Sequence, residues 1–156
     1  MKQLFSAIAE NGRYSEKMAC HYIAHVLYNN AYGWTIKYYT DSYGTFPVRD
    51  FIDSISPEAQ AKFIFIADLL EEYGIGVKEP YIKSISGQKK LFEIRIKDRV
   101  NIHRIFYFTY TGKTLVLLHG FTKKTDKTPR GEIRIAVKRM EEYIAQRGDN
   151  NELQGT

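Results

Sequence analysis

The chain has 156 residues, of which 44% are hydrophobic and 14% aromatic. This length suits one domain whose core the apolar residues can fill, which argues against a disordered chain. A single cysteine, Cys20, excludes an intrachain disulfide and any paired-cysteine metal or redox site. No apolar run approaches the ~20 residues of a transmembrane helix, and no signal-peptide pattern develops, so we expect a cytoplasmic protein without membrane contact.

The net charge of +5 hides an uneven distribution along the chain. Residues 1–80 carry a net charge of −3, residues 81–147 carry +10, and the polar tail at 148–156 carries −2. A strongly basic second half is typical of a protein that binds a polyanion, and nucleic acid is the natural candidate. For any single lysine, a solvated surface position is the more ordinary explanation.

Residues 1–32 differ in residue pattern from the rest of the chain and are predicted to be a helical extension. Apolar residues within 15–28 recur at helical spacing and indicate one short amphipathic helix. His21 and His25 lie four residues apart on it, but no third ligand stands at a suitable spacing. We therefore expect no metal and no cofactor.

The next segment predicts a strand followed by a helical hairpin. Residues 34–40 alternate as a strand does, and Thr45 is expected to cap a short helix that ends near residue 55. Ser56-Pro57 supplies a capping hydroxyl and a first-turn proline for a second helix, and Gly74 supplies its end.

The remaining chain predicts three strands and a last helix. Residues 91–97, 101–110 and 114–121 read as an antiparallel meander, with charge on one face of the first strand, and residues 130–146 read as a helix. The predicted fold is α+β: about four mostly antiparallel strands packed against an N-terminal helical hairpin, with a C-terminal helix and an extra N-terminal helix. The tail at 148–156 is expected to be disordered.

Four motifs carry a resemblance to a known family: LFEIRI at 91–96, HRIFYF at 103–108, LLHGFTKKTDKTP at 117–129, and AVKR at 136–139 of the last helix. In this order they resemble the phage-derived HigB-like branch of the RelE/HigB toxins, within the RelE/ParE superfamily. The likeness spans roughly residues 34–145, so the toxin domain is expected at 33–147.

The resemblance implies the toxin of a type II toxin–antitoxin system: a metal-independent endoribonuclease that cuts messenger RNA, usually on the ribosome, and so inhibits translation. A cognate antitoxin, expected to be a helix-turn-helix DNA-binding protein, would cover its basic face. Without a metal, the 2′-hydroxyl must attack the adjacent phosphorus, and side chains must move two protons and stabilise the phosphorane. Basic residues can do all three.

Five residues are candidates for the catalytic site: Arg104, Lys124, Lys123, His119 and Arg95. Arg104 matches the family's strand arginine and would stabilise the transition state. The basic pair at 123–124 would neutralise the phosphate or protonate the leaving group, and His119 could act as acid or base. Each candidate also has an ordinary structural explanation: an exposed strand charge, a backbone contact or, for His119, a structural histidine. For His103, which is not a candidate, we expect that structural role.

Four further basic residues are expected to hold RNA or ribosome: Lys89, Lys90, Lys127 and Arg130. Better-known members carry two lysines on the strand equivalent to 91–96, where this chain has Leu91 and Glu93. Some relatives also carry a tyrosine shortly after the basic pair, and this chain does not. The residues that serve as general base and acid are therefore left open.

Two other functions stay open at this point. ParE-like toxins share the fold and poison DNA gyrase without cutting RNA, and fold alone does not separate the two classes. The missing lysines also fit an inactive relative that only binds an antitoxin or nucleic acid. The basic pair favours the nuclease.

Overall fold

The computed structural model describes residues 33–124 and 129–152, with side chains described as far as residue 148. The predicted N-terminal helix, with His21 and His25, lies outside these residues. The elements described below belong to one compact unit that starts at Trp34. In chain order they are β1 (Thr35–Tyr38), α1 (Pro47–Ser54), α2 (Pro57–Tyr73), a 3-10 turn (Gly74–Gly76), β2 (Ile82–Ser84), β3 (Leu91–Lys97), β4 (Ile102–Tyr110), β5 (Thr114–Lys123) and α3 (Arg130–Glu152).

Local signals fix both ends of α2. The Ser56 side chain accepts a hydrogen bond from the Ala59 N–H at 3.2 Å, and Pro57 occupies the first turn. Gly74 ends the helix at φ 53°, a backbone conformation that favours glycine. A Cβ there would also lie 2.0 Å from the Trp34 ring, so glycine is required for two separate reasons.

Within the described residues, the five strands form one mixed sheet in the order β1-β5-β4-β3-β2. The meander β3-β4-β5 is antiparallel as predicted, and β2 pairs antiparallel with β3. β1 pairs parallel with β5, since Thr35 lies opposite Thr114 and Tyr38 opposite Leu117. A parallel pair needs a long crossover, which here passes through both hairpin helices and the meander.

The sheet buries apolar residues on both faces. On the hairpin face, α1 and α2 pack through residues such as Val48, Phe63 and Leu70 against Ile94 and Ile105. The α3 face carries a second core, whose buried members are Tyr39, Leu91, Phe106, Phe108, Val116, Leu118, Phe121, Ala136 and Tyr143. Alternation along each strand therefore decides which side chains share a face.

Three predictions about the elements need correction. The sheet has five strands rather than about four, because the three-residue β2 is too short to show alternation. Its described strand pairs are mostly antiparallel as predicted, and the parallel pairing of β1 with β5 makes the sheet mixed. Thr45 does not cap α1, because its hydroxyl donates to the Asp41 carboxylate and Phe46 occupies the cap position. The last helix does not end near residue 146 but continues to Glu152, into the segment predicted as a disordered tail.

Candidate active site

Strand register brings several cations together at one end of the α3 face. Arg95 of β3 lies directly opposite Arg104 of β4, and Arg104 lies opposite Phe121 of β5. In the next row toward the strand ends, Lys97 lies opposite Ile102, which lies opposite Lys123. Because directly paired residues share a face, Arg95, Lys97, Arg104 and Lys123 project from the same side of the sheet. We call these four residues the basic corner.

Arg104 is buried in this corner rather than exposed on the strand. Its side chain is 6% exposed and its Nε lies 3.0 Å from Oε1 of Glu93, whose side chain is 5% exposed. Its Nη1 donates to the His103 carbonyl at 3.1 Å. Burial lowers the pKa of Arg104, which Glu93 opposes and the charge of Arg95 reinforces. An arginine starts from so high a pKa that it remains charged.

The Glu93–Arg104 contact is an ion pair with unused hydrogen-bonding capacity. The Nε–H of Arg104 is not aimed at the carboxylate, and Oε2 of Glu93 has no hydrogen-bond partner among the described residues. Arg95 lies 3.8 Å from the same Oε1 but is 34% exposed. Buried polar atoms without partners are rare and costly, so this ion pair offsets only part of the cost of burying its two charges.

His119 lies one row further along the same face and links β5 to α3. Its Nε2 contacts the Glu132 carboxylate, and its Nδ1 lies 3.1 Å from Nη1 of Arg139. Arginine can only donate, so Nδ1 accepts, Nε2 carries the proton, and the ring is neutral. Burial lowers the pKa of His119; the hydrogen bond that Nε2 donates to Glu132 opposes this shift, and the charge of Arg139 reinforces it. Both ring nitrogens are therefore occupied.

Arg139 of α3 packs on this face of the sheet, a position that no sequence pattern predicted. The register shift between β4 and β5 leaves Leu118 without a cross-strand partner. The Leu118 carbonyl accepts from Arg139 Nη1 at 3.0 Å, so the guanidinium is half-buried against the sheet and not on the outer face. No sequence pattern predicted this register shift between β4 and β5.

The other predicted residues are more dispersed. Lys124 is exposed just beyond β5, and Arg130 is exposed at the first position of α3. Lys89 and Lys90 are exposed before β3, at the opposite end of that strand from Arg95. Lys127 lies outside the described residues.

His103 faces the hairpin side and takes no part in the basic corner. Its ring lies between Thr122 Oγ1 at 3.0 Å and Asp98 Oδ2 at 3.3 Å, and it packs edge-on against Phe51. Asp98 also accepts from Ser56 at 2.7 Å and from two backbone N–H groups, which together hold its pKa well below the usual range. The histidine has the structural role expected from the sequence.

A cleft of about 600 Å³ opens beside the basic corner, at the edge of β3 beyond the short β2. It is lined by Lys62, Phe65, Ile66, Pro80, Tyr81, Arg95, Ile96, Lys97, Ile102 and Arg104. Four of these described lining residues are basic and none is acidic, so the cleft suits an anionic ligand. Sequence reasoning missed Lys62, Lys97 and Glu93, although alternation along β3 already placed the last two beside Arg95.

Within the described residues, no group of three or more histidine, cysteine, aspartate and glutamate side chains could hold a metal ion. None of the described helices is long and apolar enough to cross a membrane.

A mixed sheet with a helical hairpin on one face and a cluster of cations on the other defines an α+β protein with a candidate polyanion site. A family model described as phage derived protein Gp49-like (DUF891) matches residues 50–141, more than half of the chain. The chain therefore belongs to this Gp49-like family, a RelE/HigB-like toxin family associated with toxin–antitoxin systems. Membership implies a cognate antitoxin as partner. No curated protein shows significant similarity to this chain.

Proposed function

We propose that the protein is an endoribonuclease toxin of the phage-derived HigB-like branch, which cuts messenger RNA without a metal ion and so stops translation. The observation that carries this proposal is the basic corner. In it, two arginines lie directly opposite each other on β3 and β4, and the next row of the sheet has a lysine on β3 and a lysine on β5. Guanidinium and ammonium groups placed side by side suit the negatively charged oxygens of a phosphodiester.

The roles follow from exposure and position. Arg95 is partly exposed and can meet the incoming phosphate, while Arg104 is held by Glu93 and the His103 carbonyl. A fixed guanidinium stabilises the extra negative charge of the phosphorane without reorganising during the reaction. Lys123 shares the face of Arg104 and lies near the strand end, where it can protonate the leaving 5′-oxygen.

The partners follow from the same surface. Messenger RNA on the ribosome would be the substrate in the cytoplasm, and the antitoxin, proposed to be a helix-turn-helix protein, would silence the toxin by covering the basic corner. Attack by the 2′-hydroxyl would leave a cyclic phosphate and spare DNA.

Expression in a host that lacks the antitoxin tests the proposal, with growth and transcript integrity followed together. We expect growth arrest and RNA loss with the wild type and with Lys124→Ala, and neither with Lys123→Ala or Arg95→Ala. Lys124, which the sequence also offered as a catalytic candidate, is exposed beyond β5 and outside the basic corner, so we now propose it as the matched control. Arrest without transcript loss would contradict the nuclease proposal and would direct attention to gyrase.

A second candidate is a relative that binds RNA without cutting it. Two observations favour it: Glu93 already neutralises Arg104, and both ring nitrogens of His119 are occupied. Purified protein that retains RNA but leaves it intact would select this candidate.

A further inference from the structure

The cleft beside the basic corner contains an aromatic pair that the catalytic proposal does not use. Phe65 of α2 is 51% exposed, and its ring meets that of Tyr81 edge to face, with centroids 5.6 Å apart. A phenylalanine that remains half exposed on a helix is not explained by the core. Held by its neighbour, the ring is available to a planar ligand at little cost in conformational entropy.

Backbone contacts tie this pair to the arginines. The Arg95 N–H donates to the Tyr81 carbonyl at 2.8 Å, which places Tyr81 beside Arg95 at the edge of β3. A single cleft is lined by both aromatic rings and by Arg95 and Arg104. A ligand bound at the guanidinium groups can therefore continue onto the rings.

Cations also flank the aromatic pair. Lys62 precedes Phe65 by three residues and so lies on the same side of α2. Its Nζ donates to the Lys97 carbonyl and to Glu58, which places the ammonium group at the end of β3. Lys97 itself is exposed and lines the cleft. Glu58 offsets part of the charge of Lys62, so Lys97 supplies the stronger electrostatic attraction.

Aromatic rings interleaved with cations are the arrangement by which proteins hold single-stranded nucleic acid, because every base can stack and every phosphate is negative. We infer that this cleft is a nucleotide subsite, in which the base next to the scissile phosphate stacks on the Phe65 ring, which Tyr81 supports edge to face, while Lys97 and Lys62 hold the adjoining phosphate. The inference rests on the proposed function and extends it to the path that the RNA follows. A stacked base with its phosphate accounts for both the exposed ring and the cations beside it, whereas an apolar peptide segment would leave those cations without a ligand.

Binding of a short, fluorescein-labelled single-stranded RNA with 2′-O-methyl riboses tests the subsite. This probe lacks the attacking hydroxyl, so affinity is measured without cleavage. We expect Phe65→Ala and Phe65→Leu to weaken binding at least about fivefold, as loss of one stacked base should, and more for oligoadenylate than for oligouridylate. Phe65→Leu keeps an apolar side chain and so controls for folding.

Two further variants separate stacking from charge. Tyr73→Ala removes a ring of similar exposure, 56%, from the same helix outside the cleft and should bind like the wild type. Lys97→Ala should reduce the slope of log affinity against log salt by about 0.7, whereas Phe65→Ala should leave that slope unchanged.

The outcomes distinguish the subsite from the nuclease. Wild-type affinity in both Phe65 variants, or no binding of the probe by the wild type, would overturn the subsite. Weaker binding in those variants supports the subsite even if the wild type fails to cut natural RNA, which would overturn only the proposed reaction.

Discussion

The buried pair of Glu93 and Arg104 should be strongly coupled in stability. Both side chains are at most 6% exposed and lie 3.0 Å apart, so replacing one leaves a buried charge behind. Such a loss costs about 3–5 kcal/mol of unfolding free energy. Glu93→Leu should fall at the upper end, because Arg104 would then face the like charge of Arg95 directly across the strands. Arg104→Met should fall near about 3 kcal/mol, since Arg95 remains 3.8 Å from the carboxylate.

The double variant Glu93→Leu/Arg104→Met removes both charges and should lie within about 1 kcal/mol of the wild type. Urea denaturation followed by fluorescence of Trp34, the single tryptophan, measures all four proteins. A single variant that fails to fold while the double variant folds would support the same conclusion. If the double variant loses as much stability as the two single variants together, the ion pair is not coupled and this reasoning is refuted.

Two further predictions concern the rows next to the basic corner. Burial lowers the pKa of His119 below 6.5, so the unfolded chain binds this proton more tightly than the folded protein does. The stability that the neutral ring contributes above that pH is therefore lost as the pH falls below it. In urea titrations, His119→Gln should lose less stability than the wild type between about pH 7.5 and 5.5, and equal losses would contradict this. Gly120→Ala should destabilise the fold by roughly 1–3 kcal/mol, because the added Cβ would lie 2.2 Å from the Phe51 ring. Gly131→Ala, where a Cβ meets nothing, is its control in the same denaturation assay, and equal midpoints would count against the overpacking argument.

Much of the fold follows from local patterns that the sequence displays openly. The start of α2 at Ser56-Pro57, its end at Gly74 and the bounds of β3 depend on capping chemistry and alternation within a few residues. The parallel pairing of β1 with β5 depends on a partner more than seventy residues away, which no local pattern specifies. The short β2 exists only because β3 offers it an edge.

The candidate site divides in the same way. Alternation already placed Arg95 on a charged face of β3, but it did not predict that α3 covers part of the same side of the sheet. The burial of Arg104 against Glu93 and the use of Arg139 to hold His119 depend on that packing and on the register shift at Leu118. Charge patterning therefore predicted the basic face, and only the structure shows which cations on it are paired.

The most direct test of the central claim is the chemistry of the RNA ends that the purified protein produces. Incubation of RNA in the presence of EDTA should yield fragments with 2′,3′-cyclic phosphate and 5′-hydroxyl ends. Arg104→Lys keeps a cation beside Glu93 but loses the planar guanidinium, and it should cut at least about 100-fold more slowly while remaining folded. RNA that stays intact with the wild type, or cleavage that survives Arg104→Lys at full rate, would contradict a phosphodiester-cutting site at the basic corner.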